Sequence, residues 1–426
     1  MPFLTHSPSS QTLWRSSGVR VLRTTSGGPG VTRWFGEHQS PPTSQHARPC
    51  AFLSEVFQDV TIVAALGFGF LNLSLRRYGW SSVAFNLFLL ALGVQWAVLM
   101  DGFLDQHFQN KVVIKLSRIK LATMSAMSVL ISVGAVLGKT NLLQLTLMAL
   151  VEVTVFVTMM MIDRHYLNVD AHVSMMHIHV FATYFGLMVA WFLSRSLNET
   201  VVQEKTQTEK RSSLFTMLGT LFLWIFWPSF NSALLDSPTE RKNAVFSTYY
   251  ALAASTVTAI SVSVLAHSQR KINMTHIHNA VLAGGVAVGT SCHLITSPWL
   301  AMVLGFMAGL ISIGGALCLP GYFNQVLGTH DTCGVHYTFG LPGLLGGITY
   351  ILLIIYEVNW TTKSISRIDI QLFFGAGTLS LAMASGLITG VLTGLILSLK
   401  IFKAPPAAKH FDDQAFWEFP HLATGF

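Results

Sequence analysis

The chain has 426 residues, of which 51% are hydrophobic and only 11% are charged, whereas soluble domains contain about 25% charged residues. This composition excludes an ordinary soluble domain, and long unbroken apolar runs exclude a membrane β-barrel, whose strands alternate apolar and polar residues. The net charge is +7; beyond the first 50 residues, Lys and Arg lie mostly in short connectors, which indicates membrane topology and no nucleic-acid partner.

The first 50 residues differ in composition from the rest of the chain. They contain five arginines and one acid, Glu37, and are rich in Ser, Pro, Gly and Thr. This composition predicts a disordered, atypical N-terminus, and no apolar run in it is long enough for a signal peptide or a membrane span.

Eleven apolar runs follow, and each is long enough to cross the roughly 30 Å hydrocarbon core of a lipid bilayer as a helix. We predict an all-α polytopic membrane protein whose transmembrane domain covers residues 51–400, followed by a tail at 401–426. The predicted spans are approximately 58–75, 81–100, 120–138, 142–162, 172–194, 213–235, 245–266, 276–295, 298–319, 337–356 and 370–399.

Glycines recur at every fourth position of the last predicted helix, at Gly386, Gly390 and Gly394. Small residues at this spacing let two helix backbones approach closely in a membrane. The pattern predicts helix packing inside the domain, with self-association as the alternative.

The basic residues of the connectors predict the orientation in the membrane. Placing the tail in the cytoplasm puts twelve basic residues on the inside and eight on the outside, which agrees in sign with the positive-inside rule. Eleven spans then place residues 1–50 outside, although their arginines favour the cytoplasm.

Four cysteines, Cys50, Cys292, Cys318 and Cys333, show neither a CxxC pair nor the spacing of metal ligands, so we predict reduced thiols and no metal site. Cys318 ends a hydrophobic run and is a candidate for palmitoylation, with an inert cysteine at the membrane edge as the alternative. The sequence contains no GxSxG, HExxH or Walker motif, so we predict neither an enzyme nor a cofactor.

Several segments carry a family resemblance, and their order along the chain makes it specific. From about Phe57 to Phe426 the chain resembles the Rh polypeptides of the ammonium transporter/Rh family, on the segments FQDVTIVAALGFGFL, WSSVAFNLFLLALGVQWA, GAVLGK, HVFATYFGL, GTLFLWIFWPSFNSALL, ERKNAVFSTYYALA, HNAVLAGGVAVGTS and FDDQAFWEFPHLATGF.

The resemblance implies a bundle of eleven helices, arranged as two inverted five-helix repeats plus a last long helix. The extra N-terminal helix of the family is missing here. Family members form trimers with one pore per subunit. That pore has two phenylalanines at its outer mouth and, below them, two facing histidines that take the proton from ammonium and pass neutral ammonia.

The first pore histidine of the family corresponds to His179. A titratable side chain inside an apolar span is costly and is therefore a functional candidate by itself, with a buried neutral histidine bonded to a neighbouring helix as the alternative. The second pore histidine corresponds to Phe339, which cannot relay a proton. His336, about one helical turn earlier, is a weaker substitute.

Other pathway residues follow from the same resemblance. The inner phenylalanine of the gate corresponds to Phe230, beside Asn231, and the outer one to Met124. The family aspartate that orders the pore helices lies eight residues before the first histidine, whereas Asp170 lies nine before His179, which puts its role in doubt.

One intramembrane acid, Glu152, stands apart from these motifs. A carboxyl group within a span faces the protein interior and is paired or protonated. The sequence does not identify its partner.

Two functions follow. The first is a structural subunit with a degraded pore in an erythrocyte Rh complex at the plasma membrane. It would form a heterotrimer with a Rh-associated glycoprotein-like subunit. Its C-terminal tail would bind ankyrin of the membrane skeleton. The acids and aromatic residues of that tail favour docking, with a cover for the inner pore mouth as the alternative. The second function is a channel for ammonium/ammonia or CO2 in its own right.

Overall fold

Apolar runs fold as helices throughout the described chain. The computed structural model describes residues 47–73, 78–105, 114–194, 210–322, 328, 330–361, 365–402 and 410–418, and no strand occurs within these ranges. The helices are α1 Ala47–Ile62, α2 Phe68–Leu71, α3 Gly79–Asp105, α4 Leu116–Val136, α5 Leu142–Tyr166, α6 Ala171–Met176, α7 Ile178–Ser194, α8 Lys210–Ser232, α9 Pro238–Ala266, α10 Met274–Gly289, α11 Pro298–Tyr322, α12 Leu341–Thr361 and α13 Ile365–Leu397.

The predicted N-terminal boundary at residue 50 falls within α1. Residues 47–50, expected in the disordered segment, are helical because the apolar run that follows continues the same helix. Residues 1–46 lie outside the described part of the chain.

Ten segments of the described chain are long and apolar enough to cross a membrane, and they correspond to ten of the eleven predicted spans. The remaining span, predicted at 276–295, is α10, which has only 16 residues and is buried from His276 to Gly289. Helices α9 and α11 pack against it. The helix at this predicted span is therefore shorter than predicted and lies inside the bundle.

Two irregular turns contain or adjoin residues predicted for the pore. The helix predicted at 172–194 is split at His177, where α6 ends and α7 begins. Further along, a π-helical turn, His336–Gly340, precedes α12. Broken helices in transporters place irregular backbone next to a binding site, and π-turns are frequent at functional sites.

Helix α13 packs closely along α7 through the predicted glycine stripe. A Cβ atom on Gly386 would lie 2.6 Å from the carbonyl oxygen of Phe181, and one on Gly390 would lie 2.6 Å from that of Phe185. A larger residue would push the two backbones apart, which supports helix packing as the role of the stripe.

The C-terminal tail folds back onto the end of the bundle where α3 begins. The Asp413 carboxylate accepts hydrogen bonds from the backbone N–H groups of Trp80 and Ser81, both at 2.9 Å. Trp417 Nε1 donates to Ser81 Oγ at 3.0 Å. Asp413 thus satisfies N–H groups that the first turn of α3 leaves without partners.

Candidate functional site

The candidate site is built around His179, two residues after the break between α6 and α7. Its ring is 1% exposed. Trp227 and Phe339 stack against it, with centroid distances of 5.9 and 6.0 Å and interplanar angles of 21° and 14°. Phe230 meets it edge-on at 6.2 Å. We call these four residues the aromatic cluster.

The structure therefore brings together three of the predicted pathway residues, His179, Phe230 and Phe339. Trp227 was missed, although it precedes Phe230 by three positions and so shares a helix face with it. Both ring nitrogens of His179 lack a hydrogen-bond partner among the described residues, so the predicted alternative, a histidine bonded to a neighbouring helix, finds no support here.

Phe339 is part of the lining of a cavity of about 170 Å³. Asn72, His278, Asn279 and Asp331 contribute polar side chains to its lining. Phe339 also stacks on Phe68 at 5.8 Å, so aromatic contacts hold its ring from two sides. Phe339 therefore contacts His179 on one side and lines the cavity on another, whereas His179 is not part of that lining.

The loop that leads into Phe339 is held by buried charges. Asp331 accepts hydrogen bonds of 3.0–3.1 Å from the backbone N–H groups of residues 334, 335 and 336. Lys139 Nζ donates to the carbonyl oxygens of Ala135 and His330. Burial lowers the pKa of Lys139 to about 8, an effect that the charge of Asp331 opposes, and burial raises the pKa of Asp331.

His336, the predicted substitute for the second pore histidine, lies on the same π-helical turn as Phe339. Its ring contacts the Tyr184 ring edge-on, with centroids 5.8 Å apart. The rings that contact His179 are instead those of Trp227, Phe230 and Phe339.

Met124 and Asn231 are both buried near the predicted gate. Met124 lies on α4 within the hydrophobic core that includes Phe230 and Phe339, and its pairing with Phe230 stays a prediction. Asn231 Nδ2 donates to Thr248 Oγ1 and to the carbonyl oxygen of Gly285, both at 3.0 Å. These bonds join α8 to α9 and α10, so Asn231 fixes the position of the neighbouring Phe230.

The two acids near α6 differ from each other in burial. Asp170 is exposed and does not cap α6; its charge acts on His293 and Tyr350. Asp163 is fully buried and accepts a hydrogen bond of 2.6 Å from Ser174 Oγ. The acid that ties α5 to the broken helix is therefore Asp163, which the spacing to His179 did not indicate.

Two further predictions concern isolated side chains. Glu152 is fully buried and accepts a hydrogen bond from Ser132 Oγ at 2.5 Å, which identifies the partner that the sequence left open. Cys318 is an exposed free thiol on the last turns of α11, and its palmitoylation stays a prediction.

Comparisons with known proteins agree with this architecture. The Ammonium Transporter Family profile matches residues 43–412. The chain is 61% identical to the human blood group Rh(CE) polypeptide and 63% identical to an RH-like protein of Macaca mulatta, in each case over 372 residues that cover 87% of this chain and 88% of the relative.

Solved structures show the same fold. Rh50 of Nitrosomonas europaea is 29% identical with a TM-score of 0.73, over 89% of this chain and 94% of that chain. Mep2 of Saccharomyces cerevisiae is 16% identical with a TM-score of 0.66, over 84% and 87% of the two chains, and this likeness concerns the fold alone.

Proposed function

Because this chain belongs to the ammonium transporter family, we propose that it is a structural subunit of an erythrocyte Rh complex and that its own ammonia pore is degraded. The family consists of channels and transporters, not enzymes, and the chain is a multi-pass membrane protein with the predicted fold class. The degraded pore and the assembly role are the proposal.

The observation that carries the proposal is the stacking of Phe339 on His179. Ammonium is charged and cannot cross an apolar constriction, because transfer of an ion into such surroundings is prohibitively costly. It must first give up its proton to a group that can accept it. Imidazole can do this, whereas the phenyl ring stacked on His179 cannot accept a proton and lies beside the imidazole, where the family has its second histidine.

A subunit that does not conduct ammonia can still act in the assembly of the complex. Its human relatives at 61% identity are blood group Rh polypeptides, which supports a place in an erythrocyte plasma-membrane complex. In that complex the chain would form a heterotrimer with a Rh-associated glycoprotein-like subunit. Ankyrin would bind the tail in the cytoplasm. Asp413 and the indole N–H of Trp417 are engaged within the chain, so the exposed Glu418 and the exposed face of Trp417 remain for ankyrin.

A channel for ammonia or CO2 is the second candidate. The cavity that Phe339 lines and the ring nitrogens of His179, which lack a partner among the described residues, favour it. A rotation of the Phe339 side chain would join the cavity to His179 and open that route.

Stopped-flow measurement of ammonia flux into liposomes that contain the purified native chain separates the two functions. We expect flux at the level of protein-free liposomes. A flux several-fold above that level, which scales with the amount of protein, would contradict the degraded pore and establish the channel.

Co-purification tests the assembly role separately. The native chain, expressed with a Rh-associated glycoprotein, should elute with it as one complex of defined stoichiometry. Separate elution of the two proteins would contradict the heterotrimer, whatever the flux measurement shows.

A further inference from the structure

A second histidine cluster lies at the end of the bundle opposite to the C-terminal tail. It consists of His172 on α6 and of Cys292 and His293, which follow α10, and one ligand atom from each residue lies within 4.8 Å of the others. His172 and Cys292 are almost fully buried, and His293 is half-buried. The half-buried ring gives the cluster access to the surface.

The distances within this cluster suit a metal ion. His172 Nε2 lies 3.5 Å from Cys292 Sγ. Zinc bonds of about 2.3 Å to sulfur and about 2.0–2.1 Å to nitrogen, at tetrahedral angles, place two such ligands about 3.5 Å apart. The rings of His172 and His293 are perpendicular, with centroids 5.1 Å apart. Because one ligand atom from each of the three residues already lies within 4.8 Å of the others, an inward movement of His293 would complete the set.

The donor chemistry narrows the class of metal. Two imidazoles and a thiolate suit zinc and related borderline or soft cations, whereas Mg²⁺ and Ca²⁺ prefer oxygen. The Nδ1 atom of His293 is buried without a hydrogen-bond partner among the described residues, so it is free to bind a metal.

We propose that His172, Cys292 and His293 form a binding site for a divalent cation of zinc-like chemistry, with a fourth position open towards the surface. Binding replaces the thiol proton of Cys292 with a metal–sulfur bond and releases that proton. His172 Nε2 now hydrogen-bonds to the carbonyl oxygen of Gly289 at 3.0 Å. On binding, its proton moves to Nδ1 and Nε2 coordinates the metal.

The site would join the two halves of the bundle. His172 belongs to the broken helix of the first half, and Cys292 and His293 belong to the second half. Cys292 Sγ also lies 3.9 Å from the carbonyl oxygen of Asn231, one residue after Phe230. A bound cation would therefore fix the backbone beside the aromatic cluster.

The test uses the full-length protein in detergent, with the affinity tag removed. Titration with ZnCl2 should show one site per chain by calorimetry. Titration with CoCl2 should give thiolate-to-cobalt charge-transfer absorption and the intense visible bands of a tetrahedral centre. The absence of this absorption, or zinc binding without defined stoichiometry, would overturn the proposal even if no variant folds.

Matched variants locate the site. His293→Ala and Cys292→Ser should weaken zinc affinity by more than the roughly 10–100-fold that is lost with an outer-shell partner, and Cys292→Ser should abolish the charge-transfer band. Cys318→Ser, which removes an exposed thiol elsewhere, should leave both unchanged. Metal-free melting temperatures verify folding, and equal zinc affinity in native and His293→Ala protein would contradict the assignment.

Discussion

Two histidines seven positions apart, His172 and His179, occupy opposite kinds of environment. His172 lies beside a thiol, a second imidazole and a backbone carbonyl oxygen. His179 lies among three aromatic rings and makes no hydrogen bond to the described residues. The comparison teaches that the role of an intramembrane histidine is decided by the helices that converge on it, because both residues come from the same broken segment of the chain.

The largest expected effect on stability comes from removing the Trp227 side chain from the aromatic cluster. Trp227 is fully buried, and Trp→Ala substitutions in protein cores cost about 3–5 kcal/mol. Trp227→Ala should therefore strongly lower the melting temperature in detergent. Trp299→Ala, at a position where 63% of the side chain is exposed, should change it little, and equal losses would show that the cluster is not tightly packed.

A smaller effect is expected from moving the helix that carries His179. Gly386→Val places side-chain atoms against the carbonyl oxygen of Phe181 on α7, and overpacking of this kind costs about 1–3 kcal/mol. Gly314→Val is the matched control, because a Cβ atom there meets nothing within 4 Å. If thermal unfolding is the same for both variants, α7 is not held by close contact with α13.

The smallest effect is expected at the tail, far from the His172 cluster. Asp413→Ala removes the cap of α3 and should cost about 0.5–2 kcal/mol, whereas Glu418→Gln should cost almost nothing because Glu418 is exposed. Ammonia flux should stay at background level in both variants. A rise in flux with Asp413→Ala would show that the tail, not Phe339, closes the route.

The sequence predicted the helices well and the site in part. Long apolar runs give the spans directly, because each must satisfy its own backbone hydrogen bonds in lipid. The helix α10 was predicted to extend to residue 295 but ends at Gly289, because the apolar content of a segment does not show where its helix ends. The break at His177 was missed because its neighbours are as helix-compatible as those of any other span.

The resemblance indicated His179, Phe230 and Phe339 as pathway residues; their rings are in contact, and their role in transport stays a prediction. It did not indicate the His172 cluster, because His172 and Cys292 are 120 positions apart and ligand spacing along the chain reveals only local metal sites. Asp163 was missed for the same reason: its role depends on the contact between α5 and α6, which no local pattern records.

The most direct test of the account replaces the phenyl ring that covers His179. Phe339→His returns an imidazole to the position, Phe339→Leu removes the aromatic ring without one, and His179→Ala in the Phe339→His background removes the first imidazole. All three are compared with the native chain by stopped-flow ammonia flux in liposomes at equal protein density. We expect flux several-fold above background with Phe339→His alone, and background flux in the other two variants and the native chain. Background flux in every variant, or equal flux with Phe339→His and Phe339→Leu, would contradict the claim that loss of the second imidazole disables the pore.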